Sequence, residues 1–203
     1  MMEQQYMLHH SFFNPDNNYN MAYIDLKNDL PGIRGLMAFR PQTARPLNEL
    51  AEILLRDDNN TLSRGERELI GAYVSEVNDC FFCQSVHAAL AQHYMQCDTS
   101  FMDAIMQNHT TVDISPKLKA LLSIAGAVAV SGRNVTPDMI EKAKNEGAID
   151  IEIHDTVMIA AAFCMFNRYV DGLGTWAPTD RQVYIDRASR RAEEGYLDFD
   201  LYK

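Results

Sequence analysis

The stretch SRGERELIGAYVSEVNDCFFCQSVH, residues 63–87, decides the fold, because it predicts two helices and the turn between them. It opens with a capping box, Ser63-Arg64-Gly65-Glu66, ahead of an apolar-periodic run from Leu69 to Val77. Asn78-Asp79 interrupts this pattern, and Asp79 is placed to cap a second helix that begins at Cys80. We therefore expect an antiparallel helical hairpin.

Helix boundaries are legible along the rest of the chain as well. Ser115 and Thr136 are N-cap candidates that stand directly before a proline, a residue that suits the first position of a helix. Two helices are predicted to end at a glycine. The predicted boundaries are Gly32–Phe39, Arg45–Leu55, a helix near Phe101 capped by Thr99, helices begun at Ser115-Pro116 and at Thr136-Pro137 (the latter closed by Gly147), a long helix from Asp150 to about Asp171 closed by Gly172, and Thr179–Glu194.

Strand signals are absent from the sequence, which shows no convincing period-2 alternation and no hairpin turn between alternating runs. These patterns predict an all-α fold, a single-domain bundle of roughly eight or nine helices. No linker is long enough to divide the chain. Residues 1–28 are predicted to form an irregular N-terminal arm, and residues 29–203 the helical domain.

The composition is that of an ordinary globular chain, since 47% of its 203 residues are hydrophobic and 23% are charged. The net charge of −10 argues against nucleic acid as a main partner, because no basic patch of useful size occurs. The densest cationic stretch, Arg187 to Arg191, is followed at once by Glu193 and Glu194, and we interpret it as a solvated helix face.

Targeting and membrane signals are not visible either. Residues 1–20 are polar and aromatic and lack the basic-then-apolar order of a signal peptide. The longest apolar runs, 118–130 and 157–166, are shorter than the about 20 residues that a membrane helix needs. We expect a cytoplasmic protein with no membrane partner.

Four cysteines are too few for a disulfide scaffold, so in a reducing compartment a Cys-x-x-Cys pair indicates catalysis or metal binding. Cys97 and Cys164 stand alone, and we interpret them as structural thiols. Cys80 and Cys83 form the pair. His87 follows Cys83 by four residues, one helical turn along the same face.

This arrangement suits redox chemistry. A thiolate is the nucleophile in disulfide exchange and in peroxide reduction, and the start of a helix favours an anion. Attack on a peroxide O–O bond gives a sulfenic acid, which a neighbouring thiol condenses to a disulfide. Cys80 and Cys83 can be that pair, with His87 as the base that takes a proton.

Glu68 joins this site only if the hairpin forms. At about 1.5 Å per residue it lies about 16 Å before the Asn78-Asp79 turn, and His87 lies about 13 Å after it. The two then come level, and the carboxylate can orient the imidazole. Glu66 and Glu76 are competing carboxylates on the same helix, and Glu68 is alternatively a solvated charge paired with a neighbouring arginine.

Zinc binding is a second hypothesis for the same side chains. Cys80, Cys83 and His87 are three plausible zinc ligands. A structural zinc site takes four protein ligands, and no fourth ligand with suitable spacing is evident.

These motifs resemble the alkylhydroperoxidase AhpD core, and more closely an uncharacterised peroxidase-related branch of the carboxymuconolactone decarboxylase-like superfamily. The specific part is the spacing Glu-x11-Cys-x-x-Cys-x-x-x-His, and the resemblance extends over residues 30–175. The matching segments are Phe39-Arg40-Pro41, Glu66-Arg67-Glu68-Leu69-Ile70, Tyr73-Val74-Ser75, Asn78, Cys80, Cys83, His87, Phe166-Asn167-Arg168 and Gly172-x-Gly174.

The resemblance implies an all-α, AhpD-like fold that assembles into a homo-oligomer. It implies that Cys83 attacks the peroxide, that Cys80 resolves the sulfenic acid, and that Glu68 and His87 relay protons. It also implies reduction by a dithiol or by a lipoylated or thioredoxin-type carrier, with no bound cofactor. Phe82 departs from the pattern, because the best-studied members carry a histidine there and an apolar ring cannot relay protons.

The predicted function is a thiol-dependent peroxidase or disulfide reductase that reduces organic hydroperoxides through the Cys80–Cys83 pair. The alternative is a non-enzymatic redox-sensing or assembly protein in which the disulfide alters oligomer packing. Lactone decarboxylation is the weaker prediction, because the decarboxylases of the superfamily lack this thiol pair.

Overall fold

The computed structural model describes residues 22–197, and this part of the chain is all-α, as predicted, with nine α-helices, one short 3₁₀ helix and no strand. The helices are α1 (Ile33–Phe39), α2 (Pro41–Arg56), α3 (Arg64–Val77), α4 (Phe81–Met95), α5 (Thr99–Asn108), α6 (Pro116–Val130), α7 (Pro137–Asn145), α8 (Asp150–Gly172) and α9 (Gln182–Glu194), with the 3₁₀ helix Gly132–Asn134 between α6 and α7.

Helix α3 is the centre of the bundle. It packs against α4, α6 and α8, and α9 in turn packs against α4. Two glycines permit the close approach of α3 to its neighbours, since a Cβ at Gly65 would lie 2.7 Å from Met95 Cγ and one at Gly71 would lie 2.3 Å from the Phe163 ring. The predicted hairpin of α3 and α4 is therefore the scaffold on which the other helices assemble.

The turn between α3 and α4 is a Schellman motif, which ends a helix with one left-handed residue. The Cys80 amide donates to the Ser75 carbonyl at 2.9 Å, and the Asp79 amide donates to the Glu76 carbonyl at 3.0 Å. Asp79 is the left-handed residue, with φ 57°, a conformation in which aspartate is enriched. The prediction that Asp79 caps α4 is thus wrong: Asp79 ends α3, and Cys80 is the N-cap of α4.

Local cap signals identify the helices correctly and their ends less well. Ser63, Ser115 and Thr136 cap their helices as predicted, each accepting a backbone amide. Several other boundaries differ from the prediction. Helix α2 begins at Pro41 rather than Arg45, and α9 begins at Gln182 rather than Thr179. Helix α5 begins at Thr99 with Asp98 as its cap, and the left-handed glycine after α8 is Gly174 rather than Gly172.

Residues 22–32 precede α1 without regular structure and pack on the chain that follows α8. The Tyr23 amide donates to the Leu173 carbonyl at 2.8 Å, and the Gly32 amide donates to the Trp176 carbonyl at 2.9 Å. The rest of the predicted arm lies outside the described residues, so its boundary stays a prediction. Within residues 22–197, no helix has the length and apolar character required to cross a membrane.

Candidate active site

The two thiols of the pair differ in their surroundings. Cys80 is the N-cap of α4, and Cys83 stands in the first turn, where unpaired amide groups favour an anion. Both thiols are free and buried, but only Cys83 lines the cavity that adjoins the site. The hydrogen bond with Cys83, together with burial, raises the pKa of the Cys80 thiol. The Cys80 thiol is therefore held in its protonated form.

Asp171 is a neighbour of Cys80 that the sequence did not indicate. Burial raises the pKa of the Asp171 carboxyl, and the nearby Cys80 thiol acts on this pKa in the opposite direction. In the sequence this residue marked only the end of a long helix. The last turn of α8 brings it to the start of α4.

The predicted pairing of Glu68 with His87 is present. Glu68 Oε2 lies 2.6 Å from His87 Nδ1, and only 1% of Glu68 is exposed. The competing carboxylates are elsewhere: Glu66 caps α3 through Ser63, and Glu76 is exposed. Since Nδ1 is held by the carboxylate, Nε2 is the ring nitrogen that remains for proton exchange on the cavity side.

Neither Arg64 nor Arg67 forms an ion pair with Glu68, contrary to the alternative interpretation of a surface ion pair. Arg64 pairs with Asp58 at 2.8 Å. Arg67 is buried and donates to the Leu54 carbonyl at 3.4 Å, and burial lowers the pKa of this guanidinium.

Tyr196 is the second partner of Glu68, and it was missed at the sequence level. Its hydroxyl donates to Glu68 Oε1 at 2.8 Å, and its backbone amide donates to Glu52 Oε2 at 2.7 Å. Burial, followed by the nearby charge of Glu68, raises the pKa of the Tyr196 phenol well above its ordinary value, so the phenol remains a donor. No local signal marks this residue, which follows α9 directly after Gly195.

The imidazole of His87 is also held by ring contacts. Phe163 meets it edge-on with ring centroids 4.5 Å apart, and Tyr196 stacks at 6.4 Å. Gly71 leaves the space that Phe163 occupies. These contacts restrict the ring to the orientation that the Glu68 carboxylate requires.

A chain of buried amides and hydroxyls ties the α3–α4 turn to α8. Asn78 Nδ2 donates to Asn167 Oδ1 at 2.9 Å, Asn167 Nδ2 donates to Ser75 Oγ at 3.0 Å, and Ser75 Oγ donates to the Gly71 carbonyl at 2.8 Å. Because every member has a partner, the network fixes the turn that presents Cys80 and Cys83.

The Cys83 thiol and the His87 imidazole face a mostly apolar cavity of about 160 Å³, which is lined by residues of α1, α2, α4, α8 and α9. Phe82 is one of its walls and cannot relay protons. Its ring occupies the place where a Cβ at Gly32 would lie, 2.3 Å from Phe82 Cδ1. Tyr184 is another wall, and burial together with the proximity of Cys83 raises its pKa to about 12.

The basic stretch is largely exposed, as predicted, but two of its arginines also line this cavity. Arg187 and Arg191 are cavity residues, whereas Arg190 pairs with Glu194.

As for the zinc hypothesis, residues 22–197 contain no group of three or more His, Cys, Asp or Glu side chains arranged to hold a metal ion.

Comparison with known proteins agrees with this geometry. A sequence profile of the Carboxymuconolactone decarboxylase family matches residues 41–107, which include the thiol pair, Glu68 and His87. Among solved structures, the alkylhydroperoxidase AhpD core, an uncharacterised peroxidase-related protein from Ralstonia eutropha JMP134, is similar over 77% of this chain and 80% of its own, with 27% identity and a TM-score of 0.69. The chain therefore resembles the AhpD-like, carboxymuconolactone decarboxylase-like superfamily, and residues 41–107 match its family model.

A second solved structure shares the fold. An uncharacterised peroxidase-related protein from Silicibacter sp. TM1040 has a TM-score of 0.68 over 76% of this chain and 78% of its own, with 21% identity. No protein with a curated description matches the chain significantly. The AhpD-like resemblance predicted from the sequence is confirmed.

Proposed function

We propose that this AhpD-like protein is a cytoplasmic, thiol-dependent peroxidase that reduces organic hydroperoxides through Cys83, with Cys80 as the resolving thiol. The observation that carries the proposal is that Cys83 and His87 face one apolar cavity while buried Glu68 holds the imidazole. The family match over residues 41–107 and the peroxidase-related neighbour from Ralstonia support the same chemistry.

In the first step, His87 takes the proton of the Cys83 thiol, and the thiolate attacks the terminal oxygen of the hydroperoxide. The S–O bond forms as the O–O bond breaks, and the leaving alkoxide takes a proton from His87 to become an alcohol. The sulfur is oxidised to a sulfenic acid, and the peroxide is reduced. Glu68 orients the imidazole throughout and stabilises its charged form.

In the second step, the Cys80 thiol attacks the sulfur of the sulfenic acid. An S–S bond forms, the S–O bond breaks, and water leaves with the proton of the Cys80 thiol. Asp171, beside Cys80, is placed to pass this proton on. A dithiol, supplied by a lipoylated or thioredoxin-type carrier, then reduces the disulfide by exchange and is itself oxidised.

The test is steady-state reduction of cumene hydroperoxide, with dihydrolipoamide and reduced thioredoxin in parallel. C83S is expected to lower the rate by at least about 10³-fold, because it removes the nucleophile. C80S is expected to stop at one sulfenic acid per subunit, which dimedone traps. C97S removes a thiol outside the cavity and is the matched control.

Two outcomes would contradict the proposal. Full peroxide consumption by C83S would exclude Cys83 as the attacking thiol. Formation of one Cys80–Cys83 disulfide per subunit without turnover by either reductant would instead favour the redox-sensing alternative.

A homo-oligomer is part of the proposal. On α8, exposed apolar side chains recur at seven-residue spacing, which places them on one face: Ile151, Met158 and Met165. A second copy of the chain is the partner that this stripe would contact. Native mass spectrometry of wild type and of M158E/M165E tests it, and an unchanged oligomeric mass in the variant would exclude this face.

A further inference from the structure

The charged side chains that line the cavity are opposite in sign to the charge of the chain as a whole. The protein carries a net charge of −10. Yet the formally charged side chains among the described cavity residues are three arginines, Arg34, Arg187 and Arg191, and no carboxylate is among them. A local positive site in an acidic protein attracts anionic ligands to that place.

Helix α9 supplies two of these arginines from one face. Arg187 and Arg191 are four residues apart and therefore lie one turn from each other on the same side of the helix. Tyr184 and Ala188 on the same face also line the cavity. The arginines thus belong to the part of the cavity wall that α9 supplies.

Neither arginine of this face forms an ion pair with a carboxylate within residues 22–197. Arg191 lies with its guanidinium 4.8 Å above the centroid of the Tyr196 ring, a cation–π contact that positions it without neutralising it. Arg187 is exposed. Their guanidinium groups therefore keep the capacity to bind the two oxygens of a carboxylate.

The volume of the cavity indicates what size of group fits beside the Cys83 thiol. Its volume of about 160 Å³ is close to the roughly 150 Å³ of an apolar cavity that holds a benzene ring. A compact aryl or branched alkyl group therefore fits beside Cys83, and a charged group on the same molecule has to lie towards the arginines.

We infer that the substrate of this site is an organic hydroperoxide with a compact apolar body and a carboxylate, which Arg187 and Arg191 bind while the peroxide group faces Cys83. The inference rests on the proposed peroxidase function and adds a specificity to it. The redox step is the one described above, and the carboxylate takes no part in it.

The test compares 4-carboxycumene hydroperoxide with its methyl ester, because the two share the reacting group and the ring and differ in charge. The acid is expected to have a kcat/KM about tenfold higher than that of the ester, mainly through a lower KM. This acid-to-ester ratio of kcat/KM should fall as ionic strength rises. R187Q and R191Q should each lower the ratio towards one. R190Q removes a charge from the same helix outside the cavity and should leave the ratio unchanged.

Failure of this inference and failure of the peroxidase proposal are distinguishable. A ratio of one or less in wild type, or a ratio that survives in R187Q/R191Q, overturns the inference while turnover continues. If neither hydroperoxide is turned over, calorimetric titration with 4-isopropylbenzoate and 4-isopropylbenzamide decides. Tighter binding of the carboxylate that is lost in R187Q/R191Q supports the arginine site, and equal binding of the two overturns it.

Discussion

Two buried glutamates of this bundle are surrounded in different ways. Glu152 of α8 accepts hydrogen bonds from Lys117 Nζ at 2.8 Å, from Thr61 Oγ1 at 2.8 Å and from the Ile149 amide at 3.0 Å. Burial opposes its ionisation, but these donors outweigh that effect and lower the pKa of Glu152. Glu152 is therefore a fixed anion that joins three segments of the chain.

Glu68 of α3 is equally buried but accepts from an imidazole and a phenol, His87 and Tyr196. The imidazole can take up and give up a proton and also faces the cavity, whereas the Tyr196 phenol keeps its proton and holds the carboxylate. Burial of a carboxylate therefore does not by itself indicate function. The nature of its partners, and what those partners face, separates a structural carboxylate from one placed to act in proton transfer.

The largest difference between the two glutamates is expected in catalysis. E68Q should lower kcat/KM for cumene hydroperoxide by about 10²-fold or more, because a positioned acid–base group contributes about 10²–10⁴-fold. E152Q is the matched control and should leave turnover of the folded protein unchanged. If E68Q and E152Q lost kcat/KM equally when compared at the same folded fraction, Glu68 would have no role in catalysis beyond the structural role of Glu152.

The second difference is expected in stability. E152Q should lower the free energy of unfolding at pH 7 by about 1–3 kcal/mol, because partly buried Lys117 loses its carboxylate. The folded-state pKa of Glu152 is lowered, so its stabilisation is present above the unfolded pKa of about 4.3 and is lost as the pH falls below it. Urea unfolding at pH 7 and pH 3 should therefore show a gap between wild type and E152Q that narrows in acid. A gap that widens would contradict this.

The smallest effect is expected for the second donor to Glu68. Y196F keeps the ring that packs on His87 and removes the hydroxyl, so kcat should fall by about tenfold with KM unchanged, since one hydrogen bond to a charged group is lost. Y73F, which alters a tyrosine outside the cavity, is the control. A rise in KM without a fall in kcat would assign Tyr196 to substrate binding rather than to positioning the carboxylate.

The amino-acid sequence by itself determined the all-α class, the α3–α4 hairpin and the identity of Cys80, Cys83, His87 and Glu68 as neighbours. These features depend on short-range physics. Caps satisfy the free amides of a helix start, helical spacing places Cys83 and His87 on one face, and a tight turn brings Glu68 level with the imidazole. The ends of helices were less predictable, because an aspartate between two helices can end the first one in the left-handed conformation or cap the second one. Asp79 suits both roles in the sequence, and in the structure it ends α3.

Only the tertiary structure decided which distant residues complete the site. Tyr196 lies 128 positions from Glu68 and reaches it because α9 packs on α4. Asp171 reaches Cys80 from the far end of α8, and the basic stretch of α9 divides between cavity and solvent. Packing of whole helices places these side chains, and no local pattern in the chain records how two helices far apart in sequence will meet.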